Sequence, residues 1–168
     1  MKLYKYRTIN QFSLDIARNQ RLFLSLVSEL NDPYDVLIKS AATMHKIEYY
    51  TDDQGNRLEP KYTSEFWNIN GDLAKKKVCA LSSLKDSVLM WSHYSNSHKG
   101  IVFEIEVDDK YIHKINYISE ENFFKETDNF CEKLKQKTIT EEDWNLYYRY
   151  KVKEWEYEEE YRIIENGK

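Results

Sequence analysis

The stretch WEYEEEYRII, residues 155–164, places four glutamates between aromatic residues and directly before an arginine. In a strand, alternate side chains share a face, so every second residue here would present a charge to the same side. Like charges in a row repel each other unless water or cations surround them. Two readings are therefore open, a solvated face of an edge strand or carboxylates that face a cleft. The predicted shared face carries Glu156, Glu158, Glu160 and Arg162.

Glu158 and Glu160 are the candidate catalytic residues of this segment. They lie in the middle of the predicted strand, whereas Glu159 points to the other face and Glu156 lies at the strand start. A carboxylate in a cleft can bond a ribose hydroxyl and stabilise the oxocarbenium-like charge that develops as nicotinamide leaves NAD. The spacing alone fits a solvated face equally well.

Basic residues recur in the first predicted strand, LYKYR, where Lys5 and Arg7 share one face. A basic side chain on an interior strand is costly unless it has a partner or binds an anion. We expect the first and last strands to lie in one sheet, so that Lys5, Arg7 and Arg162 neutralise the glutamates. The alternative is an edge strand whose charges face water.

Hydroxyl and aromatic residues cluster in SSLKDSVLMWSHYSNSHKG, residues 82–100. A strand that ends at Ser82 and Ser83 is followed by a short helix, in which Trp91 and Tyr94 are three residues apart and share a face. Such an aromatic pair above a strand end could stack against a flat ring such as nicotinamide or adenine. The alternative for Trp91 is an ordinary core residue.

Histidine and cysteine spacing does not favour a metal site. His93 and His98 are five apart without a carboxylate or cysteine at metal-ligand spacing. Cys79 and Cys131 are far apart and form no CxxC pair. We therefore expect no metal and no disulfide framework, and a reducing cytoplasm is the simplest setting.

The elements that must hold these residues alternate along the chain. We predict helices over residues 13–18 and 86–95, a weakly helical segment over 36–48, and a structural Asx-type turn at 31–33. A charged helical region over 120–151 should break near Thr140, which begins a capping pattern. Strands are predicted at 2–7, 22–25, 75–84, 99–108, 113–119 and 155–164. This pattern indicates an α+β protein with one domain, residues 1–168, built from small mixed or antiparallel sheets with helices inserted between the strands.

Composition sets broad limits on function. The 168 residues suit one core, and 41 % hydrophobic content indicates a globular chain. A formal net charge of −4 weakly disfavours a protein that coats nucleic acid. The N-terminus has no apolar signal-like region and no segment approaches ~18 consecutive apolar residues, so we expect no membrane segment.

Four motifs occur together in order: LYKYR, NDPYD, MWSHY followed by HKGIVFEI, and EWEYEEEYRI. In this combination the chain resembles the bacterial and phage domain-of-unknown-function 2971 family. The resemblance covers most of the chain except residues 39–76, and the family label itself implies no activity.

A second resemblance, to the ADP-ribosyltransferase superfamily, implies more. It rests on the order of a basic residue on the first strand, hydroxyl and aromatic residues in the middle, and a glutamate on a late strand. It implies an ADP-ribosyltransferase-like fold with NAD as substrate. Residue by residue, it implies that Arg7 contacts NAD, that Ser82, Ser83 and Tyr94 shape the nicotinamide pocket, and that Glu158 or Glu160 is catalytic. Lys5, from the strand pattern, and Trp91, from the helix pattern, complete the candidate NAD-binding residues.

Two functions of different classes follow from the sequence. The first is an NAD-using ADP-ribosyltransferase-like enzyme or NAD glycohydrolase of a bacterial or phage defence or toxin type. Its acceptor could be a protein, a nucleic acid or water. The second is a non-catalytic module that binds a nucleotide or a partner protein in the same cleft.

Overall fold

The computed structural model describes residues 1–30, 54 and 76–166. The predicted turn at 31–33 and the weak helix over 36–48 lie outside the described residues. The described helices are α1 (Gln11–Asn19), α2 (Val88–Tyr94), α3 (Glu120–Lys135) and α4 (Glu141–Tyr147). The described strands are β1 (Lys2–Arg7), β2 (Ser25–Leu26), β3 (Lys76–Ser82), β4 (Ile101–Glu106), β5 (Ile112–Lys114), β6 (Asn116–Ile118), β7 (Tyr150–Val152) and β8 (Glu160–Asn166).

The strands form a curled antiparallel sheet in the order β4-β1-β3-β8-β5, with β2 also paired to β3. A separate parallel pair joins β6 to β7. Strands β1 and β8 flank β3 on opposite sides. The prediction that the first and last strands share one sheet is therefore confirmed, with one strand between them, and so is the α+β class.

One edge of β3 is divided between two partners. At its start, Lys77 and Val78 pair with β2, and at its end Ser82 pairs with Tyr4 of β1. Between these two registers, residues 79–81 face a gap between β1 and β2. The sheet therefore opens at its centre, and the candidate site lies at this opening.

Two hydrophobic clusters cover the two faces of the sheet, because side chains alternate along β3 and β8. Val78 pairs with Ile164 and belongs to one cluster, while Cys79 pairs with Ile163 and belongs to the other. The first cluster also takes in the buried side chains of α3 and α4. Its buried members are Val27, Val78, Phe123, Phe130, Cys131, Tyr147, Tyr148 and Val152.

The last strand is shorter than predicted. Residues 153–158 form a 3₁₀ helix, Glu159 has a left-handed backbone with φ of 41°, and β8 begins only at Glu160. The strand prediction over 155–164 is therefore wrong for its first half, and Glu158 precedes the strand. A left-handed residue other than glycine costs on the order of 1 kcal/mol. Ser83 offsets this cost, because its backbone N–H and hydroxyl both donate to Glu159.

The helices agree with the sequence in type and differ at their ends. The predicted helical region over 120–151 is wrong for its last residues, because helix α4 ends at Tyr147 and Tyr150–Val152 form β7. Helix α1 runs two residues further at its start than predicted, because Asn10 and Ser13 form a capping box. The break at Thr140 is confirmed, with Thr140 and Asp143 capping α4 in the same manner. Among the described residues, no helix has the length and apolar character needed to cross a membrane.

Candidate functional site

A cavity of about 520 Å³ lies at the opening between β1 and β2. Its volume is within the range of pockets that hold small molecules. Its lining comes from β1, β2, β3, α2, β7, β8 and the 3₁₀ helix before β8, together with Phe23 and Leu30. Six of the eight predicted site residues line it: Lys5, Arg7, Ser82, Tyr94, Glu158 and Glu160.

Glu158 is held by two side chains inside this cavity. Its Oε1 accepts a hydrogen bond from the Tyr94 hydroxyl at 2.5 Å, and its Oε2 accepts one from Lys151 Nζ at 2.6 Å. Only 3 % of Glu158 is exposed. Burial raises the pKa of the Glu158 carboxyl above its ordinary value, while the Lys151 charge opposes that rise.

Glu160 has a different environment. Arg162 Nε and Nη2 donate to its two carboxylate oxygens at 2.5 and 3.0 Å, and Lys151 Nζ donates to Oε2 at 3.0 Å. Burial disfavours the ionised carboxylate, but the charges of Arg162 and Lys151 outweigh burial and hold the pKa of Glu160 at about 2. Glu158 and Glu160 are both buried, whereas Glu156 and Glu159 are exposed. The row is therefore not a uniform solvated face.

Lys151 is the cation that sequence reasoning missed. It lies on β7, is 4 % exposed, and forms ion pairs with both Glu158 and Glu160. The prediction that Lys5 and Arg7 neutralise these glutamates is wrong, since Lys151 and Arg162 do so. Two buried carboxylates need nearby cations, and that need is the feature of the sequence that could have indicated a further basic residue. No rule of sequence spacing, however, places residue 151 opposite residues 158 and 160.

Arg7 instead forms a cationic end of the cavity, with Lys5 beside it on β1. Lys5 Nζ donates to the Ala80 carbonyl at 2.5 Å, within the gap along β3. Arg7 Nε is buried and has no hydrogen-bond partner in the part of the chain that the structure describes. Gly100 lies against the Arg7 carbonyl, where an added Cβ would be 2.3 Å from that oxygen, so the chain can approach β1 closely only without a side chain.

The serines of the predicted pocket hold the backbone that carries Glu158. Ser82 lines the cavity, and its hydroxyl donates to the Glu158 carbonyl at 2.6 Å while accepting from the Leu84 N–H. Ser83 is not part of the lining and fixes Glu159 instead. Both hydroxyls therefore position the segment before β8.

The aromatic residues divide in a way that the sequence did not predict. Trp91 is half-buried, is not among the lining residues, and meets Tyr6 edge-on, with ring centroids 5.5 Å apart. Tyr94 lines the cavity and binds Glu158. Trp155 lines it as well, with Lys151 Nζ 5.1 Å from its ring centroid. The aromatic surface of the cavity is therefore provided by Tyr94 and Trp155.

Comparison with protein-family models, with curated proteins and with solved structures gave no match for this chain. The resemblances to the domain-of-unknown-function 2971 family and to ADP-ribosyltransferases remain predictions from the sequence.

The ionised state of Glu160 predicts loss of stability in acid. A folded-state pKa of about 2, below the ordinary 4.5, means that Glu160 contributes fully above pH 4.5 and that its contribution disappears as the pH falls through 2. The raised pKa of Glu158 acts with the opposite sign, because protonating that carboxyl is easier in the folded protein.

Urea denaturation at several pH values tests this prediction. Below pH 4.5 the wild-type midpoint should fall more steeply than that of Glu160→Gln, which lacks the titrating group. Equal slopes in the two proteins would show that Glu160 is not responsible.

Proposed function

We propose that the cavity binds NAD and that the protein is an ADP-ribosyltransferase-like enzyme, of the defence or toxin type expected from the sequence, with Glu158 as its reacting carboxylate. The ADP-ribosyltransferase-like fold is part of this proposal. The observation that supports it is one cavity with a cationic end at Arg7, the Lys5 amine beside it, and a buried carboxylate, Glu158. The pyrophosphate of NAD would bind at the cationic end, and a ribose of NAD would bind at Glu158.

The charge distribution fits a negatively charged ligand. Among the described lining residues, Lys5, Arg7 and Lys151 are basic and Glu158 and Glu160 are acidic. Neither Lys5 nor Arg7 has a carboxylate within ion-pair distance in the described part of the chain, whereas Lys151 is paired with both glutamates. Guanidinium groups bind phosphate through paired hydrogen bonds, so the buried Nε of Arg7 suits a phosphate oxygen.

Glu158 suits the reacting role better than Glu160. Every carboxylate oxygen has two lone pairs, so Glu158 can accept a ribose hydroxyl while Tyr94 and Lys151 hold it in place. As the bond from C1′ to nicotinamide breaks, the electron pair leaves with nicotinamide and positive charge grows on the ribose. An ionised carboxylate fixed beside that charge stabilises the transition state. The acceptor oxygen or nitrogen then attacks C1′ and gives its proton to the Glu158 carboxylate.

Glu160 supports Glu158 instead. Its two oxygens are bound by Arg162 and Lys151, and Lys151 bridges from Glu160 to Glu158. Lys151 is thereby a positioning residue, since it fixes the orientation of the Glu158 carboxylate. Tyr94 and Trp155 provide the aromatic surface for the nicotinamide or adenine ring.

A non-catalytic nucleotide-binding module is the second candidate. It is favoured by the fact that both Glu158 oxygens already accept hydrogen bonds from Tyr94 and Lys151. In that case the same cationic end binds a nucleotide and no bond is broken.

Two measurements on the purified protein separate these candidates. Calorimetry reports NAD binding, and release of free nicotinamide reports cleavage, with water as acceptor when no other is present. Binding with nicotinamide release supports the enzyme. Binding without release, even after bacterial lysate is added as a source of protein and nucleic-acid acceptors, supports the module. No binding contradicts both.

A further inference from the structure

Lys5 has an environment that is unusual for a lysine. It lines the cavity, and its Nζ donates a hydrogen bond to the Ala80 carbonyl at 2.5 Å. No carboxylate in the described ranges lies within ion-pair distance of it. By contrast, Lys2 on the same strand is exposed and paired with Glu104 at 2.6 Å.

These surroundings favour the neutral amine. Burial lowers the pKa of Lys5, and the neighbouring Arg7 charge lowers it further, while Cys79 and Glu160 act in the opposite direction. An ordinary lysine has an unprotonated amine in roughly one molecule in a few thousand at pH 7. Only the unprotonated amine is a nucleophile, so a lowered pKa increases the reactive fraction. Lys2 is shifted the other way, because Glu104 raises its pKa.

We propose that Lys5 is a carbonyl-reactive amine and that the cavity captures phosphorylated aldehydes as imines on its Nζ. The class of ligand follows from what surrounds the amine. Arg7, with its buried Nε lacking a partner among the described residues, takes the phosphate. Tyr94 and Trp155 provide apolar surface for the body of the ligand, and Glu158 provides a carboxyl group in the same cavity.

The reaction requires no oxidant or reductant. The Lys5 nitrogen attacks the carbonyl carbon, the carbon–oxygen π bond breaks, and a proton moves from nitrogen to that oxygen. A proton from Glu158 then converts the hydroxyl into water, which leaves as the carbon–nitrogen double bond forms. The last proton on nitrogen returns to Glu158, so one water is released for each imine. The raised pKa of Glu158 suits a group that gives and retakes a proton.

The test uses pyridoxal 5′-phosphate as the probe, followed by borohydride reduction and peptide mass mapping. In the wild-type protein, Lys5 should carry about tenfold or more label than Lys2, because of the larger neutral fraction. Lys5→Arg should lose this label and Lys2→Arg should keep it. Inorganic pyrophosphate should compete with labelling of Lys5.

Several outcomes would overturn the proposal. Equal labelling of Lys2 and Lys5 in the wild-type protein would overturn it. This comparison needs no variant, so the test remains valid even if Lys5→Arg fails to fold. Equal labelling of Lys5 by pyridoxal, which has no phosphate, would overturn the assignment of Arg7 to the phosphate. NAD takes no part in this experiment, so its outcome is independent of the proposed NAD cleavage.

Discussion

Glu158→Gln should lower NAD cleavage by about a hundredfold or more while the protein remains folded. A carboxylate that stabilises the transition state by ~3 kcal/mol corresponds to a change of that size. Glutamine keeps the shape and can still accept from Tyr94, but it carries no charge to stabilise the ribose cation. The fold should persist because Lys151 retains its ion pair with Glu160. Nicotinamide release at saturating NAD, with the melting temperature as a check, measures the effect.

Glu156→Gln is the matched control, because Glu156 is exposed two residues earlier in the same segment. It should change neither cleavage nor melting temperature. The pH profile gives a second check. Cleavage requires ionised Glu158, so activity should fall on acidification with a midpoint above the ordinary glutamate value, following the raised pKa. If Glu158→Gln and Glu156→Gln cleave NAD as fast as the wild type, the proposed chemistry is wrong.

Arg162→Met should destabilise the protein by about 3–5 kcal/mol, because it removes one of the two cations that pair with the buried carboxylate of Glu160 and leaves only Lys151. Arg162 is 1 % exposed, and its guanidinium donates to both oxygens of Glu160 and to the Tyr148 carbonyl. Methionine fills part of the volume but leaves these acceptors unsatisfied. Urea denaturation gives the free energy of unfolding.

Lys2→Met is the matched control, because Lys2 has an ion pair of similar length with Glu104 that is exposed to solvent. Exposed pairs contribute at most about 1 kcal/mol. A double variant that also replaces Glu160 with methionine should recover part of the stability lost in Arg162→Met, since no unpaired carboxylate then remains at that position. Equal losses for Arg162→Met and Lys2→Met would contradict a structural role for the buried network.

The sequence predicted the elements better than their partners. Period-two alternation identified β1 and β4, a segment ending on small hydroxyl residues identified β3, and the hydroxyl caps identified the starts of α2 and α4. It could not show that the segment before β8 turns at Glu159, because the left-handed backbone depends on Ser83, which is distant in sequence. Alternation therefore assigned Glu158 to a strand that begins only at Glu160.

The sequence predicted which charged residues line the candidate site, but it did not predict which of them form ion pairs. Lys5, Arg7, Glu158 and Glu160 do line one cavity. The ion pairs that fix Glu158 and Glu160 depend on Lys151, which lies on β7 and contacts both carboxylates. Strand β7 pairs with β6 in a separate parallel sheet, and no local pattern predicts that contact. For the same reason, Trp155 could not be distinguished from Trp91 as the aromatic residue of the cavity.

The strand order determines when the cavity can form during folding and synthesis. Lys2 meets Glu104 across 102 residues, and Ser82 meets the Glu158 carbonyl across 76. Contacts between such distant segments form slowly, because the chain must close long loops before it gains their stabilisation. During synthesis, β1 and β3 emerge early, but β3 has its β8 partner only when residues 160–166 are made. The nascent chain therefore has no assembled site until β8 has joined the sheet.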